Sequence, residues 1–284
     1  MWDVLQFEFM RNALVAGILV SITCGIIGTL VVVNRIVFIS GGIAHAAYGG
    51  IGIAFYTGIP PSLGAALFSF LVSMIMGVAS LKNKQRVDAI IGVMWAVGMA
   101  LGIILIDLTP GYNVDLMSYL FGSILTVAET DLWLMLSLDM VILLVVLIFY
   151  KEFLAMSYDE EFSFVVGIPV KTLYFVLLGM IALSVVMIIR VVGLILVIAL
   201  LSIPPYIAEK YTTSLGKMMT LSSLFGILFT ITGLWFSYRY NLTSGATIIM
   251  VAGLAFFISL GTDFLRGPVK APARSSNSIE SKAQ

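Results

Sequence analysis

Long apolar segments separated by short polar turns occupy almost the whole chain. Runs of about 18 or more apolar residues are long enough to cross a bilayer as helices. The pattern predicts nine spans, at residues 13–33, 38–56, 63–81, 89–108, 132–150, 173–189, 191–207, 218–238 and 246–264. The seventh is short and ends at Pro204 and Pro205. Only Arg190 and Gly193 separate it from the sixth, so we expect a broken helix or a tight hairpin there, and an eight-span version with one re-entrant segment stays open.

The composition agrees with a membrane protein. Hydrophobic residues make up 61% of the chain and charged residues 11%, against about 25% charged in soluble domains. The predicted fold is all-α, a polytopic transmembrane helical bundle of eight or nine spans that forms a single domain over residues 1–266. Residues 267–284 are rich in Pro, Ser, Ala and Lys and are expected to be a disordered tail.

The basic residues indicate the orientation of the spans. When the turn at residues 82–86 is placed in the cytoplasm, twelve of the fifteen Lys and Arg residues lie inside, as the positive-inside rule requires. Only Arg11, Arg190 and Arg239 then lie outside. Residues 116–127 are too short to span and predict an interfacial helix near the outer surface.

The loop at residues 151–171 differs from the other predicted cytoplasmic loops. It combines an acidic cluster with exposed aromatic residues, and the pattern predicts a short amphipathic helix at residues 159–166, with acids at its N-terminus. Such a helix is either a docking surface for a partner or a connector lying on the membrane. Two exposed Phe residues, Phe162 and Phe164, favour docking.

The motifs of common catalytic sites are missing. The one Gly-Lys pair, Gly216 and Lys217, lacks the glycine-rich loop of a phosphate-binding motif. With one His and one Cys, the sequence supports neither a structural zinc site nor a hydrolase. We therefore expect no enzyme and no cofactor in this chain.

Two ionisable residues lie deep inside predicted spans, where burial is costly and a functional role is the default expectation. His45 lies in the glycine-rich segment SGGIAHAAYGGIG, with Gly41 and Gly49 on the same helix face. Another helix or a ligand can approach it closely. Asp139 lies deep in the fifth span, and the two residues could together bind a divalent cation. Hydrogen bonding to a neighbouring helix is the alternative for each.

Several segments together resemble the metal-ion permeases of bacterial and archaeal ABC importers for zinc, manganese and iron. SGGIAHAAYGGIGIAF resembles the histidine box of that family, and VVGLILVIALLSIPPYIA resembles its characteristic stretch. VDAIIGVMWAVGMALGIIL, DLMSYLFGSIL, DEEFSFVVGIPV and LWFSYRYNLTSGATIIMVAG match further segments in the family's order. The resemblance covers roughly residues 10–266.

The resemblance implies a permease subunit in a cell membrane, driven by ATP that a partner ATPase binds. Two copies, expected as a homodimer, would form the path, and an extracytoplasmic metal-binding protein would deliver the metal. No nucleic acid is expected as a partner. The ATPase would dock on the coupling segment within residues 151–171, at Asp159, Glu160, Glu161, Phe162 and Gly167.

One position departs from the family pattern. Members commonly carry an acid four residues before the histidine, and here that position is Gly41. The metal would then be held by His45, for example with Asp139. Two other functions stay open: an ion-coupled secondary transporter with Asp139 and His45 as a proton relay, and an ABC permease for a metal chelate such as a siderophore.

Overall fold

The computed structural model describes residues 6–82, 85–110, 122 and 124–266, and within them the regular elements are helices. In chain order they are α1 (Glu8–Val33), α2 (Val37–Thr57), α3 (Pro61–Lys82), α4 (Val87–Asp107), a 3-10 turn (Ile124–Thr126), α5 (Glu129–Ile148), α6 (Tyr150–Tyr158), α7 (Glu160–Val165), α8 (Val170–Val192), α9 (Leu194–Glu209), α10 (Leu215–Tyr240) and α11 (Ser244–Arg266). The predicted all-α fold is confirmed.

Eight helices in the described part of the chain are long and apolar enough to cross a membrane. Each falls within a few residues of a predicted span. The predicted seventh span corresponds to α9, whose 16 residues give a length of about 24 Å, short of the hydrocarbon thickness. Gly193 alone links α8 to α9, at φ 79° and ψ 166°, a conformation that favours glycine. The predicted break between the sixth and seventh spans is therefore present.

The core of the bundle lies around α1 and α2. In the 18-residue apolar stretch of these two helices, 72% and 78% of the residues are buried, against 22% in each of α4, α5 and α11. α1 packs against α10, α9 and α5, while α2 packs against α4 and α3. The two most buried helices thus occupy the centre, and the peripheral helices leave apolar faces for lipid or for a partner.

Small residues bring α2 into backbone contact with its neighbours. A Cβ added at Gly49 would lie 2.8 Å from the carbonyl oxygen of Gly98 on α4. A Cβ at Gly50 would meet the backbone of Gly64 on α3, and one at Gly52 the backbone of Gly102 on α4. The sequence left a helix or a ligand open as the partner of this glycine-rich segment, and at these three positions neighbouring helices approach α2, in the small-residue packing typical of membrane helices.

The loops that the charge pattern assigns to the cytoplasm meet at one end of the bundle. Asn34, in the turn between α1 and α2, donates from Nδ2 to Ser157 Oγ on α6 at 3.0 Å. The backbone N–H of Gly216, in the first turn of α10, donates to the Tyr150 hydroxyl on α6 at 2.9 Å. At the opposite end Asn12 donates from Nδ2 to the carbonyl oxygen of Val127 at 3.2 Å.

The segment predicted to couple to a partner is helical and exposed. Asp159 caps α7, since its Oδ1 accepts from the backbone N–H of Phe162 at 2.9 Å. Gly167 ends the segment at φ 92°. Phe162 and Phe164 are 64% and 66% exposed, as predicted. One feature was not predicted: a separate helix, α6, follows α5 after a break at Phe149 and precedes α7.

Two predicted elements fall largely or wholly beyond the described residues. Of the interfacial helix at residues 116–127, the structure describes residue 122 and the part from Ile124, where it has a 3-10 turn. The predicted tail at residues 267–284 lies outside the described part of the chain.

Candidate functional site: the His45 region of helix α2

His45 lies close to the middle of α2. It follows the first residue of the helix, Val37, by eight positions, a rise of about 12 Å at 1.5 Å per residue. Its imidazole is half-buried and stacks on the indole of Trp95 from α4, with ring centroids 3.9 Å apart and an interplanar angle of 14°. The histidine therefore faces the boundary between α2 and α4.

The two ring nitrogens of His45 differ in their surroundings. Nδ1 is buried and has no hydrogen-bond partner among the described residues. A buried nitrogen without a partner is costly, and few such groups occur in folded proteins. Among the described residues, the contact that holds the ring is its stacking on Trp95.

Gly41, one turn before His45, has space beside it. A Cβ at this position would meet only the Cδ1 of Ile198 on α9, at 3.8 Å, which is an ordinary van der Waals contact. The neighbouring Gly42 is different, because a Cβ there would lie 2.5 Å from Ile91 Cγ2. The position at which the family commonly carries an acid could therefore accept a larger side chain.

Asp139 lies at a different boundary, between α5 and α1. It is 8% exposed, and its Oδ1 accepts a hydrogen bond from the Thr23 hydroxyl. Its Oδ2 is buried without a partner among the described residues. The contacts of Asp139 are thus on α1, whereas those of His45 are on α4. No group of three or more His, Cys, Asp or Glu residues within the described ranges could hold a metal ion.

A cavity of about 350 Å³ lies at the end of the bundle that carries α7. Its charged lining residues come from four different segments: Arg35 from the α1–α2 turn, Asp88 from α4, Glu160 from α7 and Lys171 from α8. Phe38 and Ile39, in the first turn of α2, also line it. The coupling segment and the start of the histidine-bearing helix therefore border the same cavity.

Trp95 was missed as a site residue from sequence alone. The signal that could have found it is the glycine pair Gly98 and Gly102 on α4. These residues mark the face of α4 that approaches another helix closely, and Trp95 is three positions before Gly98, on that same face. The partner of that face is evident only from the fold.

The long apolar helices, with an exposed amphipathic segment at one end and a single histidine inside a span, are those of a multi-pass membrane protein. The sequence matches the family described as the ABC 3 transport family over residues 6–263. The chain therefore belongs to this family and is a permease component of an ABC transporter. This membership decides against a stand-alone secondary transporter.

Individual relatives agree. The chain is 54% identical over 260 residues to an uncharacterized membrane protein of Synechocystis, covering 92% of each protein. It is 34% identical over 261 residues to the manganese transport system membrane protein MntC of Halalkalibacterium halodurans, covering 90% of this chain and 89% of the relative. A chain of the solved structure of PsaBC from Streptococcus pneumoniae in complex with Fab superposes with a TM-score of 0.82 at 34% identity, covering 91% of this chain and 93% of the other.

Proposed function

We propose that this chain is the membrane-spanning permease of an ABC importer for divalent metal ions, and that His45 binds the ion during passage. Two copies of the chain form the path. A cytoplasmic ATPase supplies the energy by docking on α7, and an extracytoplasmic metal-binding protein delivers the ion. The chain itself performs no catalysis in this scheme.

The observation that carries the proposal is the position of His45. It is the single histidine of the sequence, it lies about 12 Å into a membrane-spanning helix, and its Nδ1 has no hydrogen bond to a described residue. An imidazole buried only for packing would be expected to bond a carbonyl or hydroxyl group of a neighbouring helix. That bond is missing from Nδ1 among the described residues, and imidazole is a common ligand of zinc, iron and copper.

The named relatives support metal as the cargo. The relative from Halalkalibacterium halodurans is named for manganese transport, and a Streptococcus gordonii protein that is 32% identical is named manganese import system permease protein ScaB. The choice among manganese, zinc and iron for this chain depends on its own ligands. The sequence pairs Asp139 with His45 as a ligand, but the hydrogen bond of Asp139 to Thr23 on α1 favours the other reading, a side chain bonded to a neighbouring helix.

The coupling role of α7 is supported by its shape and position. Its capped N-terminus carries Glu160 and Glu161, and its exposed face carries Phe162 and Phe164. Charged and aromatic groups exposed together at the end of a membrane bundle form a suitable surface for a soluble partner. Glu160 and the first turn of α2 line the same cavity. A movement of α7 caused by the docked partner can therefore be passed to the histidine-bearing helix through neighbouring residues.

The test is uptake of radioactive Mn²⁺ and Zn²⁺ by cells that express the chain with its ATPase and binding protein. His45→Gln keeps a polar side chain of similar length and removes the imidazole, and we expect uptake of the transported ion to fall at least tenfold. The control is Ser137→Ala on α5, whose hydroxyl bonds only within its own helix. Unchanged uptake by His45→Gln, with the variant assembled at the normal level, would contradict the proposal.

A further inference from the structure

Trp95 makes the closest ring contact of His45. The two ring centroids are 3.9 Å apart and nearly parallel, at 14°. The indole is itself held on two sides. Its Nε1 donates to the Sδ of Met99, one turn along α4, at 3.2 Å, and the ring of Phe38 lies 6.2 Å from the indole centroid. A ring that is held in this way presents a fixed surface to the imidazole.

A histidine that binds a metal usually has its orientation fixed by a hydrogen bond from its second ring nitrogen to a carboxylate, a carbonyl or water. That bond is missing here among the described residues, because Nδ1 of His45 is buried without a partner. The helix of His45 offers no carboxylate either, since α2 contains neither Asp nor Glu. The flat face of the indole is the feature left to fix the plane of the imidazole.

We propose that Trp95 is a positioning residue for His45, and that stacking on the indole holds the imidazole plane so that Nε2 points toward the transported ion. This inference rests on the proposed role of His45 as the metal ligand. Trp95 does not touch the ion. It acts by restricting rotation about the His45 side-chain bonds, so that less freedom is lost when the ion binds.

The close packing of α4 on α2 fixes the distance between the two rings. Gly98 lies one turn after Trp95, and a Cβ at Gly98 would lie 2.9 Å from the Cα of Ala46, next to His45 in the chain. The backbones that carry the two rings are therefore in contact, and the distance between the rings depends on few rotatable bonds. Stacking of this kind adds to binding mainly by preorganisation.

The first test separates affinity from assembly. Trp95→Leu removes the flat face and keeps an apolar side chain. We expect the KM for Mn²⁺ uptake to rise about 2- to 10-fold with the maximal rate preserved, which is the change expected from the loss of one aromatic pair. Trp95→Phe restores a ring and should recover most of the loss. The control is Trp133→Leu on α5, a tryptophan that is 66% exposed.

The second test is spectroscopic and uses the purified full chain in lipid nanodiscs. Replacing Trp2, Trp133 and Trp235 by Phe leaves Trp95 as the one fluorophore of this type. Zn²⁺ bound to the stacked imidazole changes the electric field at the indole face, so we expect Trp95 emission to change saturably with Zn²⁺. The same chain with His45→Gln should show no saturable change.

The outcomes distinguish this inference from the function on which it rests. If His45→Gln abolishes uptake but Trp95→Leu leaves the KM unchanged, the positioning role is wrong and the metal function stands. If Trp95→Leu lowers only the amount of assembled protein, the indole is a packing residue and the inference is also wrong. If the His45→Gln variant takes up metal normally and Trp95 emission does not respond to Zn²⁺, the proposed role of His45 is wrong, and so is the inference that rests on it.

Discussion

Replacing Gly41 by Asp should change the metal preference of the permease. Gly41 lies one helical turn before His45, so side chains at the two positions would have Cβ atoms about 5–6 Å apart on the same face of α2. A carboxylate oxygen and an imidazole nitrogen each bind a divalent ion at about 2 Å. One ion can therefore bridge the two side chains without any movement of the helix.

The structure also indicates that the new side chain fits. The nearest atom to a Cβ at Gly41 is Ile198 Cδ1 at 3.8 Å, so the first carbon displaces nothing. Losing only the hydrogen-bond partner of a metal ligand costs about 10- to 100-fold in affinity, and a direct ligand should contribute at least as much. We therefore expect the KM for Mn²⁺ to fall at least about tenfold in Gly41→Asp. The fall should be smaller for Zn²⁺, because manganese prefers carboxylate oxygen and zinc accepts imidazole readily.

The assay is competition between Mn²⁺ and Zn²⁺ in initial-rate uptake, with the amount of assembled complex measured in the same membranes. Gly41→Asn is the matched control, since its shape is that of Asp but it lacks the charge. The reasoning is refuted if Gly41→Asp assembles normally and leaves the ratio of the two KM values unchanged. It is equally refuted if Gly41→Asn produces the same shift, because the carboxylate would then not be the cause.

Three further predictions follow from the packing and from the coupling segment. Gly49→Ala should destabilise the protein by about 1–3 kcal/mol, seen as a lower thermal midpoint in detergent, because its Cβ would lie 2.8 Å from the carbonyl oxygen of Gly98. Reversing the charges of Glu160 and Glu161 to Lys should uncouple ATP hydrolysis from uptake, measured together in proteoliposomes that contain the ATPase. Asp139→Asn, which keeps the shape of a side chain hydrogen-bonded on α1, should leave the KM for metal unchanged.

Each of these predictions has a contrary outcome, and the first two also have a control. Gly41→Ala has room for its Cβ and should leave the thermal midpoint near that of the parent chain; a midpoint as low as that of Gly49→Ala would count against the packing argument. Glu129→Lys lies at the start of α5, away from α7, and should keep hydrolysis coupled. Coupled uptake by the double Glu variant would overturn the docking role of α7. A raised KM in Asp139→Asn would identify Asp139 as the second ligand.

The spans were predictable because each depends on a local property. Twenty or so apolar residues bounded by charges or by Pro and Gly form a helix in a bilayer wherever they occur, since the backbone has no other way to satisfy its hydrogen bonds. The short segment after Gly193 was the difficult case, because its length lies between that of a span and that of a re-entrant helix. Helix α6 is the element that the sequence did not predict. Lys151 and Glu152 end the apolar run of α5, so the sequence predicts a loop from residue 151, and the nine residues of α6 are too few for a clear helical pattern.

The candidate site was predictable only in part. His45 stands out because a single imidazole inside an apolar segment is unusual in any sequence. Its neighbours depend on which helices meet, and that is decided by contacts distant in the chain. The sequence pairs His45 with Asp139 by chemical type, whereas in the folded chain the contacts of Asp139 are on α1 and those of His45 are on α4. Trp95 has no unusual feature until α4 is packed against α2.

The glycine contacts between α2 and α4 restrict how a transport path could open. Because Gly49 meets Gly98 and Gly52 meets Gly102 with no side chain in between, these two helices can neither slide nor part without losing their closest contacts. The boundary of α2 with α9 is looser at Gly41, where the nearest contact is an ordinary one with Ile198. Any rearrangement of the bundle is therefore expected to leave the α2–α4 pair intact. The stacked rings of His45 and Trp95, one on each helix of this pair, would then keep their distance through such a rearrangement.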